Sequence, residues 1–111
     1  MKFETKVEKG VNIFVISGGF TFHNLGDIRE AMKKAVSAAE TPKFLVDLSK
    51  AKTVDSSGLG TIVSIYKTVL LKKGAFGIIA HEGEIKEVVY TIGLNKLFPI
   101  FDNEEQAISS I

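Results

Sequence analysis

The sequence predicts an α/β fold, a four- to five-stranded mixed sheet layered with four helices. Three observations carry that prediction. The opening residues alternate polar and apolar on either side of Lys9-Gly10, the pattern of a β-hairpin. Two later runs, Phe44 to Leu48 and Ala75 to Ala80, are nearly continuous in apolar residues and suit interior parallel strands. Between and after them, apolar residues recur at helical spacing, so each later strand is followed by a crossover helix. A chain of 111 residues, 45% apolar and 24% charged, suits one compact domain over 1–111 with a core of its own.

The elements follow in order. Phe3, Thr5 and Val7 alternate with charged residues, and Val11, Ile13 and Val15 resume the alternation after the turn. The second strand becomes apolar on both sides at Phe14 and Ile16, as burial on two faces requires, and Gly18-Gly19 is expected to end it. A first helix carries Leu25, Ile28, Met32, Ala35, Val36 and Ala39 on one face, with Asn24 as its N-cap and Thr41-Pro42 at its exit. After the strand at Phe44, residues Ala51 to Asp55 read as a connection. The second helix turns Leu59, Ile62, Val63, Tyr66, Val69 and Leu70 to one face and ends at Lys72-Lys73-Gly74, where basic residues suit a helix C-terminus. A third helix carries Ile85, Val88, Val89 and Ile92 and stops around Gly93 to Leu97. Pro99 to Phe101 reads as a short edge strand. A last helix from Asn103 turns Ala107, Ile108 and Ile111 inward, and Asn103 with Gln106 approximates a capping box.

Composition excludes several function classes. Lys and Arg number 14 against 13 Asp and Glu, a net charge of +1, which argues against a nucleic-acid binder or a polybasic membrane-surface protein. No cysteine is present, so disulfide scaffolds, zinc-thiolate sites and thiol catalysis are ruled out. Met1 to Lys9 lacks the apolar core of a signal peptide, and no apolar run approaches the roughly 20 residues that span a bilayer. A cytoplasmic location without membrane insertion is the expectation.

Familiar catalytic motifs are missing as well. The chain has no P-loop, and Gly58-Leu59-Gly60 continues into Thr61, Ile62 and Val63 without the third glycine of a dinucleotide fingerprint. Neither Ser56 nor Ser57 lies between the two glycines of a nucleophile elbow. His23 and His81 both follow strands and could meet at one end of the sheet as a base or metal pair. Glu82, Glu84 and Glu87 lie where a helix start favours negative charge. No catalysis, cofactor or metal is expected.

One stretch stands apart, Thr53-Val54-Asp55-Ser56-Ser57-Gly58-Leu59-Gly60. It joins the C-terminal end of an interior strand to a helix start, the edge of an open α/β sheet where ligands and functional groups collect. An Asp or Ser there has an ordinary use as an N-cap. The two glycines are the unusual part, since each disfavours a helix by roughly 1 kcal/mol relative to alanine. They keep the surface flat and let another chain approach, and a hydroxyl beside free amides at a positive helix end suits a phosphate.

Asp55 to Gly60, followed by an amphipathic helix and a strand, resembles the signature of the STAS domain, and within it the bacterial anti-sigma factor antagonists. The resemblance covers nearly the whole chain, from the hairpin through the Gly18-led loop and Phe44 to Ser49 to Gly93-Leu94. It implies a STAS-like fold and a binding module, not an enzyme. In such antagonists the serine directly after the aspartate is phosphorylated by a kinase that is also the anti-sigma factor, a role that carries over to Ser56. Asp55, Ser57, Gly58, Leu59, Gly60 and Thr21 are then the expected partner-binding residues. The unphosphorylated antagonist sequesters the serine kinase and frees the sigma factor, and a serine phosphatase resets the cycle. Family members often carry Gly-x-Leu/Ile-Asp ahead of the first helix, with the acid close to the serine; here the run is Gly18-Gly19-Phe20-Thr21, so Thr21 replaces that acid. The alternative that the resemblance implies is a STAS docking subunit of a lipid-transport or signalling complex.

Overall fold

The structure, a computed structural model, describes residues 2–111; Met1, the first residue of the alternating opening stretch, lies outside them. Strands β1 (Lys2–Glu8), β2 (Val11–Phe20), β3 (Lys43–Val54), β4 (Ala75–Ile79) and β5 (Ile100–Phe101) form one sheet in the order β1-β2-β3-β4-β5. The β1–β2 pair is antiparallel and the other three pairs are parallel. Helices α1 (Gly26–Ala38), α2 (Ser56–Leu71), α3 (Glu84–Thr91) and α4 (Glu104–Ser110) complete the expected mixed sheet with four helices. Lys9 and Gly10 both adopt positive φ, 52° and 79°, so the hairpin turns through two left-handed residues, matching the twist of its strands.

The sheet separates two apolar layers. On one face Phe14, Ile16, Phe44, Val46, Phe76 and Ile78 pack beneath α1, α2 and α3. Aromatic rings cross this face strand by strand, Phe3 on Phe14, Phe14 on Phe44 and Phe44 on Phe76, with centroids 6.2, 5.0 and 6.0 Å apart. On the other face Val11, Ile13, Val15, Leu45 and Ile79 meet Phe101 and Ala107, with Ile108 and Ile111 half-buried against them. Period-two alternation in β3 assigns Phe44 and Val46 to the first layer and Leu45 to the second.

Several local expectations are corrected. Gly18-Gly19 does not end β2, and Ala51 to Val54 is not a connection: the two strands run on side by side to Phe20 and Val54. The register slips between Val15 and Ser17 and again between Gly18 and Gly19, so β3 carries the extra residues as bulges, and Gly18 takes φ +77°. Asn24 does not cap α1. A 3-10 turn over Phe22–Asn24 feeds Leu25 into the helix with helical backbone, so the extended geometry that an N-cap side chain needs is absent. In α2 the buried residues are Gly58, Thr61, Ile62, Ile65 and Val69, whereas Leu70 is 56% exposed. The expected face is otherwise inward, with Ile62 and Val69 buried and Leu59, Val63 and Tyr66 half-buried against the core, while Gly60, Ser64, Lys67 and Thr68 face outward. Val88 and Ile92 of the α3 region also face outward, leaving Val89 as the buried anchor and Ile85 half-buried.

Helix ends carry the remaining polar work. Asn103 accepts a hydrogen bond from the Gln106 N–H at 2.8 Å. The Gln106 side chain accepts in return from the Asp102 N–H at 2.9 Å, one residue before the position a capping box would use. No helix among the described residues is long and apolar enough to cross a membrane.

Candidate functional site

Extending β2 and β3 in parallel brings two loops together at one edge of the sheet. Val54 ends β3, Asp55 adopts extended geometry as N-cap, and α2 begins at Ser56. The Asp55 carboxylate uses both oxygens on backbone donors: Oδ1 accepts from the Gly58 N–H and Oδ2 from the Phe22 N–H, each at 3.0 Å. One oxygen therefore caps its own helix, and the other ties down the loop arriving from β2. The N–H bonds from Phe22 and then Gly58, with smaller help from the Ser57 backbone and the His23 side chain, hold the Asp55 carboxyl below its ordinary value.

Ser56 occupies the first turn of α2 and is exposed, and its hydroxyl makes no hydrogen bond to another described residue. Ser57 is half-buried, and its carbonyl accepts from the Thr61 hydroxyl at 3.0 Å. The two glycines that follow differ completely. Gly58 is buried, and a Cβ added there would sit 2.2 Å from the Phe20 carbonyl oxygen. Close approach of α2 to the end of β2 thus requires glycine, and Gly58 shapes the surface from beneath. Its N–H, taken by Asp55, is not free for a ligand. Gly60 is exposed, and a Cβ added there would meet nothing within 4 Å, so its missing side chain leaves open ground on the helix. Leu59 is half-buried against the main core.

Thr21, half-buried, ends the β2 side of this edge, and the loop it opens is fastened to Asp55 through Phe22. The Asn24 amide donates to the Thr21 Oγ1 at 3.4 Å and to the Gly19 carbonyl at 3.5 Å. His23 packs its ring edgewise near Phe22, while His81 follows β4 beside Lys52 and the start of α3. The histidines thus have separate surroundings, and the described residues hold no group of three or more metal-ligating side chains.

Residues outside the expected set also enter the site, chief among them Phe22, Arg29 and Lys33. Phe22 is 71% exposed, and with Arg29, Lys33, Ser57, Thr61 and Ser64 it lines a groove of about 450 Å³ between α1 and α2. One signal in the sequence pointed there: Arg29 is the chain's single arginine among 14 basic residues.

Residues 2–107 match the family described as the STAS domain. Over all 111 residues the chain is 28% identical to an anti-sigma F factor antagonist from Paenibacillus polymyxa, covering 95% of that relative. A crystal structure of an anti-sigma factor antagonist from Mycobacterium paratuberculosis superposes with a TM-score of 0.89 at 22% identity, over 99% of this chain and 92% of that one. The Bacillus cell fate determinant SpoIIAA in its phosphorylated form superposes with a TM-score of 0.71 at 20% identity, over 98% of each chain.

Proposed function

The chain belongs to the STAS domain family, and from that premise we propose that it is an anti-sigma factor antagonist switched by phosphorylation of Ser56. In its unphosphorylated form it sequesters a serine-kinase anti-sigma factor, and a serine phosphatase returns the modified form to service. It acts in the cytoplasm as a binding module, without catalysis of its own. The observation that carries this reading is the free Ser56 hydroxyl on the exposed first turn of a helix whose start Asp55 already caps.

Two physical features make the switch workable. A phosphate adds about −1.5 to −2 charge, taking the chain from +1 to roughly −1. At the N-terminus of a 16-residue helix that charge is tolerated or mildly stabilising, so binding can change without refolding. Across a desolvated contact the same charge, left unpaired, weakens binding by about 2–5 kcal/mol, roughly 30- to several-thousand-fold. Ser57, Leu59 and Gly60 supply the surrounding contact surface, Gly58 sets the height of the helix under it, and Asp55 and Thr21 border it.

The test uses the purified chain with each serine-kinase anti-sigma factor encoded in the same genome. Incubation with ATP and the cognate kinase adds one phosphate, located at Ser56 by mass spectrometry and absent from Ser56→Ala. Ser56→Asp binds that kinase at least 30-fold more weakly than wild type. Equal affinity of Ser56→Asp and wild type overturns the switch. Thr21, standing where relatives of this kind often carry an acid, favours one second reading, a docking subunit of a lipid-transport or signalling complex. Tight binding of such a complex with no phosphate incorporated would select it.

A further inference from the structure

Arg29 and Lys33 lie one turn apart on α1, both exposed, on the wall of the groove beside Ser57. Like charges at this spacing repel within a helix, so the pair does not serve α1 itself. Neither is used in an ion pair: those among the described residues join Lys6 to Glu104, and Lys86 to Glu82 and Asp102. The guanidinium of Arg29 is instead steadied by a neutral group. Its Nη2 donates to the Thr61 hydroxyl at 3.2 Å, and that hydroxyl, on a residue only 3% exposed, donates to the Ser57 carbonyl at 3.0 Å. One edge of the planar fork is held in place while its charge stays uncompensated. Phe22 supplies an exposed apolar wall to the same groove.

From this arrangement we infer that the groove between α1 and α2 is a specificity pocket for an acidic segment of the partner kinase, in which a carboxylate pairs with Arg29 and Lys33 beside an apolar side chain on Phe22. The inference rests on the binding reading proposed above and deepens it by naming the chemistry that the partner presents. Charge complementarity selects the occupant: a guanidinium fork held at one edge matches the two oxygens of a carboxylate, and the thirteen lysines of the chain lack that fork. Exposed aromatic and arginine side chains at one spot are the residue types that dominate interface energetics. The pocket also gives Ser56 phosphorylation a second means of action. Negative charge on the residue next to Ser57 repels the incoming carboxylate and competes for the same cations.

The experiment measures affinity of the cognate anti-sigma kinase for wild type, Arg29→Lys, Arg29→Gln and Lys33→Gln at low and high salt. Both positions are on the surface, and circular dichroism with thermal unfolding verifies that the variants fold. Arg29→Gln weakens binding about ten- to a hundredfold, and Arg29→Lys weakens it severalfold although its charge is kept. Lys33→Gln lowers the association rate and flattens its salt dependence. A double-mutant cycle of Arg29→Gln against each Asp and Glu of the kinase returns strong coupling at one carboxylate. Wild-type affinity in both Arg29 variants overturns the pocket and leaves the Ser56 reading standing, whereas no binding by wild type overturns both. Loss in Arg29→Gln that vanishes when the kinase is stripped of nucleotide assigns the cations to nucleotide phosphates and overturns the carboxylate.

Discussion

Gly58 and Gly60 are separated by one residue and meet opposite surroundings. A methyl at Gly58 collides with the backbone of Phe20 at 2.2 Å, while one at Gly60 meets nothing within 4 Å. Gly58→Ala is therefore expected to lower stability by about 1–3 kcal/mol, since backbone cannot yield as a flexible side chain can. Gly60→Ala is expected to raise it by up to about 1 kcal/mol, through better helix propensity. Urea denaturation of both variants checks the contrast, and equal effects would contradict it. Gly60→Ala also separates stability from function, because a more stable variant that binds the partner less well marks Gly60 as contact ground. Read from sequence, both glycines flatten a surface. Only the neighbour in space, Phe20, distinguishes the one that packs from the one that is open. Phe22 and Arg29 were harder still to read, because Phe22 reaches Ser57 through its N–H on Asp55 and Arg29 through the packing of α1 on α2, and neither through a local motif.

At the scale of elements, α1 ends without a basic residue in its own last turn, and α2 provides one. The Lys72 ammonium donates to the carbonyls of Val36, Ser37 and Ala39 at 2.9, 3.2 and 2.9 Å. These carbonyls lie at the negative end of α1, where Val36 otherwise accepts only a long 3.4 Å bond from the Ala39 N–H, so one side chain caps a neighbouring helix and locks the two together. Replacing it, Lys72→Met, is expected to remove about 1–2 kcal/mol. Hydrogen exchange would show faster opening of amides near the end of α1 with the strands unaffected; uniform loosening would argue against the cap. Lys72 reads in sequence only as a favourable residue at the end of its own helix. Helix existence and order were legible from apolar spacing, and strand identity from alternation or continuous apolar runs. The long ends of β2 and β3 were not, because Gly18, Gly19 and Lys50 to Thr53 have the composition of loops. They pair only since each supplies the other with backbone partners across two bulges.

Across the whole molecule, the carboxylates respond to acid in opposite senses. Asp55 is held low by backbone N–H donors, and Asp102 is held low first by its hydrogen bond with Lys86. Their stabilisation is complete above the ordinary aspartate value of 3.8 and is lost as pH falls through their lower folded values. Glu104 is pushed up, chiefly by burial and also by Asp47, against the opposing pull of Lys6. Its protonation favours the folded state as pH falls toward 4.5. Stability is accordingly expected to hold or rise slightly on mild acidification and then to drop steeply below about pH 4. Asp55→Asn flattens the steep limb in a series of urea unfolding curves against pH; an unchanged limb would deny Asp55 its part in fastening the site.

Order of elements, the two-faced sheet and the family resemblance at Asp55 to Gly60 were determined by the sequence alone, because hydrophobic periodicity and turn chemistry act over a few neighbouring residues. Tertiary structure alone decided that Leu70 of α2 faces outward while Gly58 and Thr61 are buried, how far the strands run, and that Phe22, Arg29 and Lys33 join Ser57 around one groove. Those outcomes depend on contacts between residues some 30 positions apart, such as the Phe22 N–H on Asp55 and the Arg29 guanidinium on Thr61. No local pattern encodes such contacts, since their geometry exists only after the helices have settled onto the sheet.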